Sequence, residues 1–201
     1  MELEACFPVQ IEDLKCLLQS SIVVDEFRAR QTDSFRHKLE GILSEPKKRH
    51  GRTDEAIIGD IVSGMVAEVG VSDLLGVEVF DAPFVLKDRS SFAQDVIYNN
   101  LRIEIKSHKH LRRFSISEHS YHTMIRSLAE GCIDAIVFAH VQRLDGAIEG
   151  QWLVKPTLIV DPYPSIVAIE DLFYMDDHSY VYRADLASKR NLCHPFIDLD
   201  P

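Results

Sequence analysis

The chain has 201 residues, 46% of them hydrophobic and 27% charged, which is typical of a globular protein with one domain and a sizeable core. No apolar run approaches the ~18 residues that a membrane span requires, and residues 1–4 lack the basic and apolar pattern of a secretory signal, so a cytoplasmic location is expected. The formal net charge of −10 argues against a protein that simply coats nucleic acid.

Helical spacing dominates the first part of the chain. Residues 10–44 carry apolar side chains at this spacing, Phe35 and Leu39 among them, and predict one or two packing helices. Residues 45–53 contain proline and glycine and predict a loop. We therefore interpret residues 1–52 as an N-terminal helical layer.

A second helix is predicted to begin after an N-cap at Thr53 or Asp54 and to run to about Gly70. At 100° per residue, Glu68 falls at the margin of its apolar stripe, whereas Asp60 points towards solvent. Glu68 is therefore the better candidate for a functional acid on this helix.

A β-hairpin is predicted over residues 94–107. Two runs of β-branched, aromatic and aliphatic residues flank Asn99-Asn100, a pair that tolerates the positive φ values of a tight turn. A two-residue loop fixes the register and places Asp95 directly opposite Glu104. Because like charges opposite each other destabilise a sheet, this register implies a cation between the two carboxylates.

The period of two along a strand places Lys106 on the same face as Glu104, whereas Ile103 and Ile105 point to the core. The charged face therefore carries two acids and one ammonium. Hard divalent cations such as Mg²⁺ and Mn²⁺ prefer carboxylate oxygens of this kind.

The remaining elements complete an α/β order. Ser115 and Glu118 have the spacing of a capping box and predict a helix that continues to Gly131. Residues 133–141 form an almost continuous apolar run, typical of a strand covered on both faces, and the crossover helix makes this strand parallel to its neighbour. The predicted fold is α/β, with a mixed central β-sheet flanked by helices. Residues 151–154 predict one more strand within a C-terminal elaboration, 143–201.

Asp95, an eight-residue gap and Glu104-Ile105-Lys106 together resemble the PD-(D/E)xK signature of the restriction-endonuclease-like nuclease superfamily. The resemblance covers roughly residues 55–142, and Gln94 stands where the name of the family has proline. It implies a restriction-endonuclease-like core over residues 53–142 and an Mg²⁺-dependent endonuclease that hydrolyses phosphodiester bonds in DNA.

The resemblance also implies roles for individual residues. Asp95, Glu104, the carbonyl of Ile105 and Glu68 would hold Mg²⁺, with Mn²⁺ as a substitute, and Lys106 would steer the attacking hydroxide. The basic segment that follows would contact DNA phosphates, and its candidates are Ser107, His108, Lys109, Arg112 and Arg113. Cleavage of both strands would favour a homodimer, because each site cuts one strand.

Two other interpretations stay open at this stage. A nuclease-like fold that binds nucleic acid or serves as an assembly subunit, without catalysis, would suit the acidic net charge. Alternatively, Glu104 and Lys106 are a surface ion pair in a structural domain or a small-molecule enzyme. A rise in the thermal stability of the protein with Mg²⁺ would distinguish a nuclease from the first alternative. The location of the charged face, in a cleft or on an open surface, would test the second.

Overall fold

The computed structural model describes residues 7–44, 51–79, 94–109, 113–144, 150–159, 172–175 and 179–183. In chain order its elements are α1 (Phe7–Leu17), β1 (Ile22–Asp25), α2 (Glu26–Arg30), α3 (Asp33–Leu43), α4 (Asp54–Leu75), β2 (Val96–Tyr98), β3 (Leu101–His108), β4 (Arg113–Ser117), α5 (Glu118–Ala129), β5 (Ala135–Arg143), β6 (Gln151–Ile159), β7 (Leu172–Met175) and β8 (Ser179–Arg183). None of the helices in these ranges is both long and apolar enough to pass through a membrane.

The strands form two sheets. The larger has the order β1-β6-β5-β3-β2, and the smaller has the order β4-β8-β7. In the larger sheet β3 and β5 run parallel, as predicted, and the other neighbours are antiparallel. The prediction of a mixed α/β fold with helices around a mixed sheet is therefore confirmed.

The hairpin has the predicted turn, and three of its four predicted residue pairs are formed. Asn99 and Asn100 have φ values of 47° and 68°, which is the left-handed pair that a type I′ turn requires. Val96 lies opposite Ile103, and Tyr98 lies opposite Leu101. Along β3, buried residues alternate with half-buried ones, so the local sequence pattern alone fixed both the turn and the two faces of the strand.

Helix α4 is longer than predicted. It begins after Thr53, whose side chain accepts a hydrogen bond from the amide of Ala56, but it continues past Gly70 to a left-handed glycine, Gly76. A Cβ atom at Gly70 would lie 2.9 Å from Cγ2 of Val154 on β6. Gly70 is therefore needed for close packing of the helix against the sheet and does not end it.

The core surrounds α4, whose buried side chains pack against the larger sheet and the N-terminal helices. The N-terminal helices, α4 and the larger sheet all contribute large side chains that are fully buried. They include Leu14, Ile57, Met65, Leu101 and Ile103. Helix α2 is also tied to α4 by two hydrogen bonds between the Arg28 guanidinium and the Asp73 carboxylate, at 2.5 and 2.6 Å.

Strand β1 differs from the prediction for residues 10–44, which is of helices only. It is four residues long, too short to show a period of two, and it forms by pairing with β6 about 130 residues later. The first 52 residues thus supply an edge strand of the larger sheet in addition to helices. The predicted domain boundaries at residues 52 and 142 stay predictions.

The helix predicted from Ser115 begins later, and the proposed capping box is wrong. Residues Arg113–Ser117 form β4, in which Ser115 lies opposite Val181 of β8. Pairing with a strand that is distant in sequence has overridden the local helix signal. Strand β6 also extends beyond the predicted residues 151–154, through Pro156, to Ile159.

Candidate active site

Asp95 lies one residue before β2, in the extension of the hairpin ladder. Its backbone amide donates to the carbonyl of Ile103 at 2.8 Å, and its Oδ2 accepts a hydrogen bond from the amide of Ile105 at 2.7 Å. The paired register ends at Val96 and Ile103 and does not include the predicted pair of Asp95 with Glu104. The two carboxylates are nevertheless close enough for the charge of Asp95 to act on Glu104. The carboxylate of Asp95 is fixed by the backbone of the strand that carries Glu104.

Glu104 is close to two charges of opposite sign. Its side chain is 14% exposed, and its Oε1 accepts a hydrogen bond from Nζ of Lys106. Burial raises the pKa of Glu104; the ammonium of Lys106 counteracts this effect, and the negative charge of Asp95 adds to it. The net result is a pKa above the usual value for a glutamate.

Glu68 on α4 belongs to the same site. Its side chain is 6% exposed, and its Oε1 lies 2.5 Å from Nζ of Lys38. Burial, reinforced by the charge of Asp95, raises the pKa of Glu68 to about 7, although Lys38 and Lys106 act in the opposite direction. The structure therefore brings Glu68 near the two hairpin acids, which is where its place in the element order suggested.

Lys38 on α3 is a member of the site that the sequence analysis did not identify. Burial would lower the pKa of its ammonium, but the charges of Glu68, Asp95 and Glu104 raise it above its usual value. The available signal was weak: Lys38 follows Phe35 by three residues and so lies on the apolar side of its helix. Its distance of 30 residues from Glu68 gave no indication of the contact.

We call Glu68, Asp95 and Glu104 the acidic cluster. In each of them one carboxylate oxygen accepts a hydrogen bond, from Lys38, Ile105 or Lys106. The other oxygen receives none from any residue in the described ranges. Three carboxylates thus face two ammonium groups, and part of the positive charge that the hairpin register implied is supplied by the protein itself.

The acidic cluster is not assembled around a common point for a metal ion. Across the described part of the chain, no group of three or more His, Cys, Asp or Glu side chains is arranged to hold one. Lys106 is bonded to Glu104, and Lys38 is bonded to Glu68, so metal binding would require these ammonium groups to move. Both lysine side chains are 42% exposed, so part of each side chain lies at the surface.

The predicted phosphate-binding residues begin directly after Lys106. Ser107 and His108 end β3, and Lys109 follows with its Nζ 3.0 Å from Oδ1 of Asp60 on α4. Arg52 reaches the other oxygen of Asp60, also at 3.0 Å. Lys109 and Arg52 therefore meet at Asp60, which is exposed as predicted.

Arg112 lies outside the described residues. Arg113 begins β4, opposite Arg183 of β8, and its side chain is also outside what the structure describes. The backbone thus places Arg113 in the smaller sheet, whereas the acidic cluster borders the larger one. The ring of His108 lies 5.5 Å from that of His140 on the neighbouring strand β5.

The chain matches no protein-family model, and no curated protein or solved structure matches it either.

Proposed function

We propose that the protein is a metal-dependent endonuclease that hydrolyses phosphodiester bonds in DNA, and that the acidic cluster with Lys106 is its site. The observation that carries this proposal is the convergence of three carboxylates from α4, the start of the hairpin and β3, with raised pKa values at Glu68 and Glu104. Such an arrangement costs stability, and costs of this kind concentrate at functional sites.

The donor atoms suit Mg²⁺, with Mn²⁺ as a substitute. Asp95, Glu104 and Glu68 offer carboxylate oxygens, each with one oxygen that no described residue engages. The N–H and C=O groups of one residue in a strand point to the same side of that strand. The amide of Ile105 donates to Asp95, so the carbonyl of Ile105 also points to the side of β3 on which Asp95 lies. When bound, the ion lowers the pKa of a water molecule and neutralises charge on the phosphate.

The protein's own residues then position the substrate. Lys106 reaches the acidic cluster from the strand that carries Glu104, where its ammonium orients the attacking oxygen and stabilises the negative charge of the transition state. Ser107, His108 and Lys109 continue from it and hold DNA phosphates, together with Arg112 and Arg113. Lys109 exchanges its exposed ion pair with Asp60 for a phosphate at little cost.

The arrangement of elements supports a restriction-endonuclease-like core. Helix α4 precedes the hairpin of β2 and β3, and a crossover through α5 leads to β5, which is parallel to β3. The short strand β4 between β3 and α5 is an addition to the predicted order.

The test is cleavage of plasmid and of single-stranded DNA with Mg²⁺ or Mn²⁺. We expect the wild type to cut and Asp95→Asn and Lys106→Gln to lose at least about 100-fold in rate, since each removes a charge that acts in the transition state. Asp95→Asn retains an oxygen that accepts from the Ile105 amide, so the hairpin is preserved. Plasmid linearised without a nicked intermediate would indicate a homodimer.

The control is Glu55→Gln, which removes an exposed acid from the first turn of α4, far along the helix from Glu68. It should cut like the wild type. Thermal unfolding with Mg²⁺ separates the main alternative: a site that binds metal is stabilised in the wild type but not in Asp95→Asn. If no substrate is cut and Mg²⁺ stabilises neither protein, the nuclease proposal is wrong and a non-catalytic subunit is favoured.

A further inference from the structure

The ammonium of Lys38 comes to the acidic cluster from outside the hairpin. Lys106 shares a strand with Glu104 and is two residues away from it, so its proximity follows from the local backbone. Lys38 belongs to α3, and its Nζ reaches Oε1 of Glu68 at 2.5 Å and Sδ of Met65 at 3.7 Å. The contact therefore exists only because α3 packs against α4.

The two partners of this contact differ in exposure. Glu68 is 6% exposed at its side chain and Lys38 is 42% exposed, so the carboxylate is fixed in the interior while the lysine extends inwards from an exposed stem. Helix α3 is held by other contacts, since Phe35 is buried and Leu39 and Ile42 pack against the core. Turning the Lys38 side chain away from Glu68 would therefore leave these contacts of α3 in place.

Lys38 also acts on the acidic cluster beyond Glu68. Its charge interacts with Asp95 and Glu104 in addition to its hydrogen-bond partner. It is thus placed where a cation bound by the acidic cluster would experience strong repulsion, because two positive charges a few ångströms apart interact strongly at the low effective dielectric of a buried site.

We propose that Lys38 is a tethered competitor of the divalent cation: it pairs with Glu68, offsets part of the negative charge of the acidic cluster in the metal-free protein, and must leave before the ion binds. This inference depends on the metal site of the proposed function. Its consequence is that α3 weakens metal binding, so that Lys38 determines the ion concentration at which the site is filled. Lys38 is a positioning residue in this role and touches no reacting atom.

The experiment measures the affinity for Mn²⁺ by calorimetric titration of the full-length protein, without DNA. Lys38→Met keeps the length of the side chain and removes its charge, and we expect it to bind Mn²⁺ at least about tenfold more tightly than the wild type. Lys38→Arg keeps the charge and should bind with an affinity close to that of the wild type.

Arg36→Met is the matched control. Arg36 is on the same helix, is exposed, and pairs with Asp33 at 2.8 Å, away from the acidic cluster. The variant makes the same change in net charge, so it should leave the Mn²⁺ affinity unchanged. A tighter affinity in both variants would mean that net charge is the cause, and this would overturn the proposal.

The inference and the proposed function fail in different ways. If the wild type binds Mn²⁺ and cleaves DNA but Lys38→Met binds no more tightly, the competitor role is wrong and the nuclease stands. If Lys38→Met binds Mn²⁺ more tightly but neither protein cleaves, the competitor role stands and the nuclease proposal is wrong. If neither protein binds Mn²⁺, both proposals are wrong.

Discussion

Two buried glutamates, Glu26 and Glu68, occupy opposite electrostatic situations. Both oxygens of Glu26 are engaged: Oε1 accepts from Arg30 at 2.9 and 2.6 Å, and Oε2 accepts from Arg143 at 3.0 Å and from Trp152 at 2.9 Å. Glu68 has a single ammonium partner and a second carboxylate nearby.

The pKa values follow from these surroundings. Burial acts to raise the pKa of Glu26, but the hydrogen bonds from Trp152, Arg30 and Arg143 together hold it below the usual value. At Glu68 burial prevails, and the pKa is about 7. Burial is common to both residues, so the number and sign of the partners decide the direction.

The ion cluster around Glu26 stabilises the fold, whereas the acidic cluster that contains Glu68 is a candidate functional site. The backbone amide of Glu26 donates to the carbonyl of Gly150 at 2.7 Å and so joins α2 to the turn before β6. The contacts of Glu26 therefore stabilise the edge of the larger sheet. The acidic cluster contains more negative than positive charge and retains oxygens that no described residue uses. Its carboxylates are therefore only partly paired, whereas both oxygens of Glu26 have donors.

The largest expected effect is a pH dependence of stability caused by Glu68. A carboxyl whose pKa is raised in the folded state contributes stability that is full below its unfolded pKa of 4.5 and is lost as the pH rises through about 7. The free energy of unfolding should therefore fall between pH 5 and pH 8. The expected fall is about 3 kcal/mol, because the pKa rises from 4.5 to about 7 and one pKa unit corresponds to about 1.4 kcal/mol. Glu104, whose pKa is also raised, contributes in the same direction.

Urea denaturation at pH 5, 6, 7 and 8 without divalent ions measures this slope. Glu68→Gln should flatten most of it, and Glu55→Gln, which removes an exposed acid from the same helix, should keep the wild-type slope. An unchanged slope in Glu68→Gln would remove the electrostatic difference on which the comparison depends. Glu26, with its lowered pKa, has the opposite sign: its contribution is lost only as the pH falls below about 4.5.

Glu26→Gln should destabilise the protein at pH 7 by about 2 kcal/mol, because the arginine and tryptophan donors lose a charged acceptor in a largely buried position. Glu68→Gln should cost much less at this pH, since it also removes repulsion from Asp95. Urea denaturation of both variants compares them directly. Asp33→Asn, at an exposed ion pair, should change stability by less than about 0.5 kcal/mol. Equal losses at Glu26 and Glu68 would contradict the distinction.

The smallest effect concerns the redundancy of the donors around Glu26. Arg143 is 60% exposed and shares Oε2 with Trp152, so Arg143→Met should lower the free energy of unfolding by less than about 1 kcal/mol. Arg30 provides both hydrogen bonds to Oε1, and Arg30→Met should cost more than Arg143→Met. Urea denaturation at pH 7 measures both losses. A larger loss in Arg143→Met than in Arg30→Met would show that the stacking of the Arg143 guanidinium on Trp152 stabilises the protein more than the hydrogen bonds from Arg30 to Glu26 do.

Local patterns predicted the hairpin, its turn and the register of its three residue pairs correctly. The Asn99-Asn100 turn set the register, and the period of two separated Ile103 and Ile105 from Glu104 and Lys106. The helical period placed Glu68 at the edge of a buried stripe, and the structure brings it to the hairpin. All of these signals act between residues close in sequence, where backbone geometry leaves few alternatives.

Long-range contacts account for what the sequence analysis missed. Strand β1 and strand β4 form because β6 and β8 pair with them. Residue 70 is a glycine inside a helix because Val154 leaves no room there for a Cβ atom. Lys38 belongs to the site because α3 packs on α4. None of these partners can be identified from the residue itself.

The sequence by itself therefore determined a mixed α/β fold and a hairpin that carries Glu104 and Lys106 on one face of its second strand, with Asp95 just before its first strand. Only the tertiary structure decided that Glu68 and Lys38 join them, and that the positive charge near the acids comes partly from the protein. The physical reason is that strand and turn geometry are fixed by neighbouring residues, whereas the balance of charge at a buried site depends on every element packed around it.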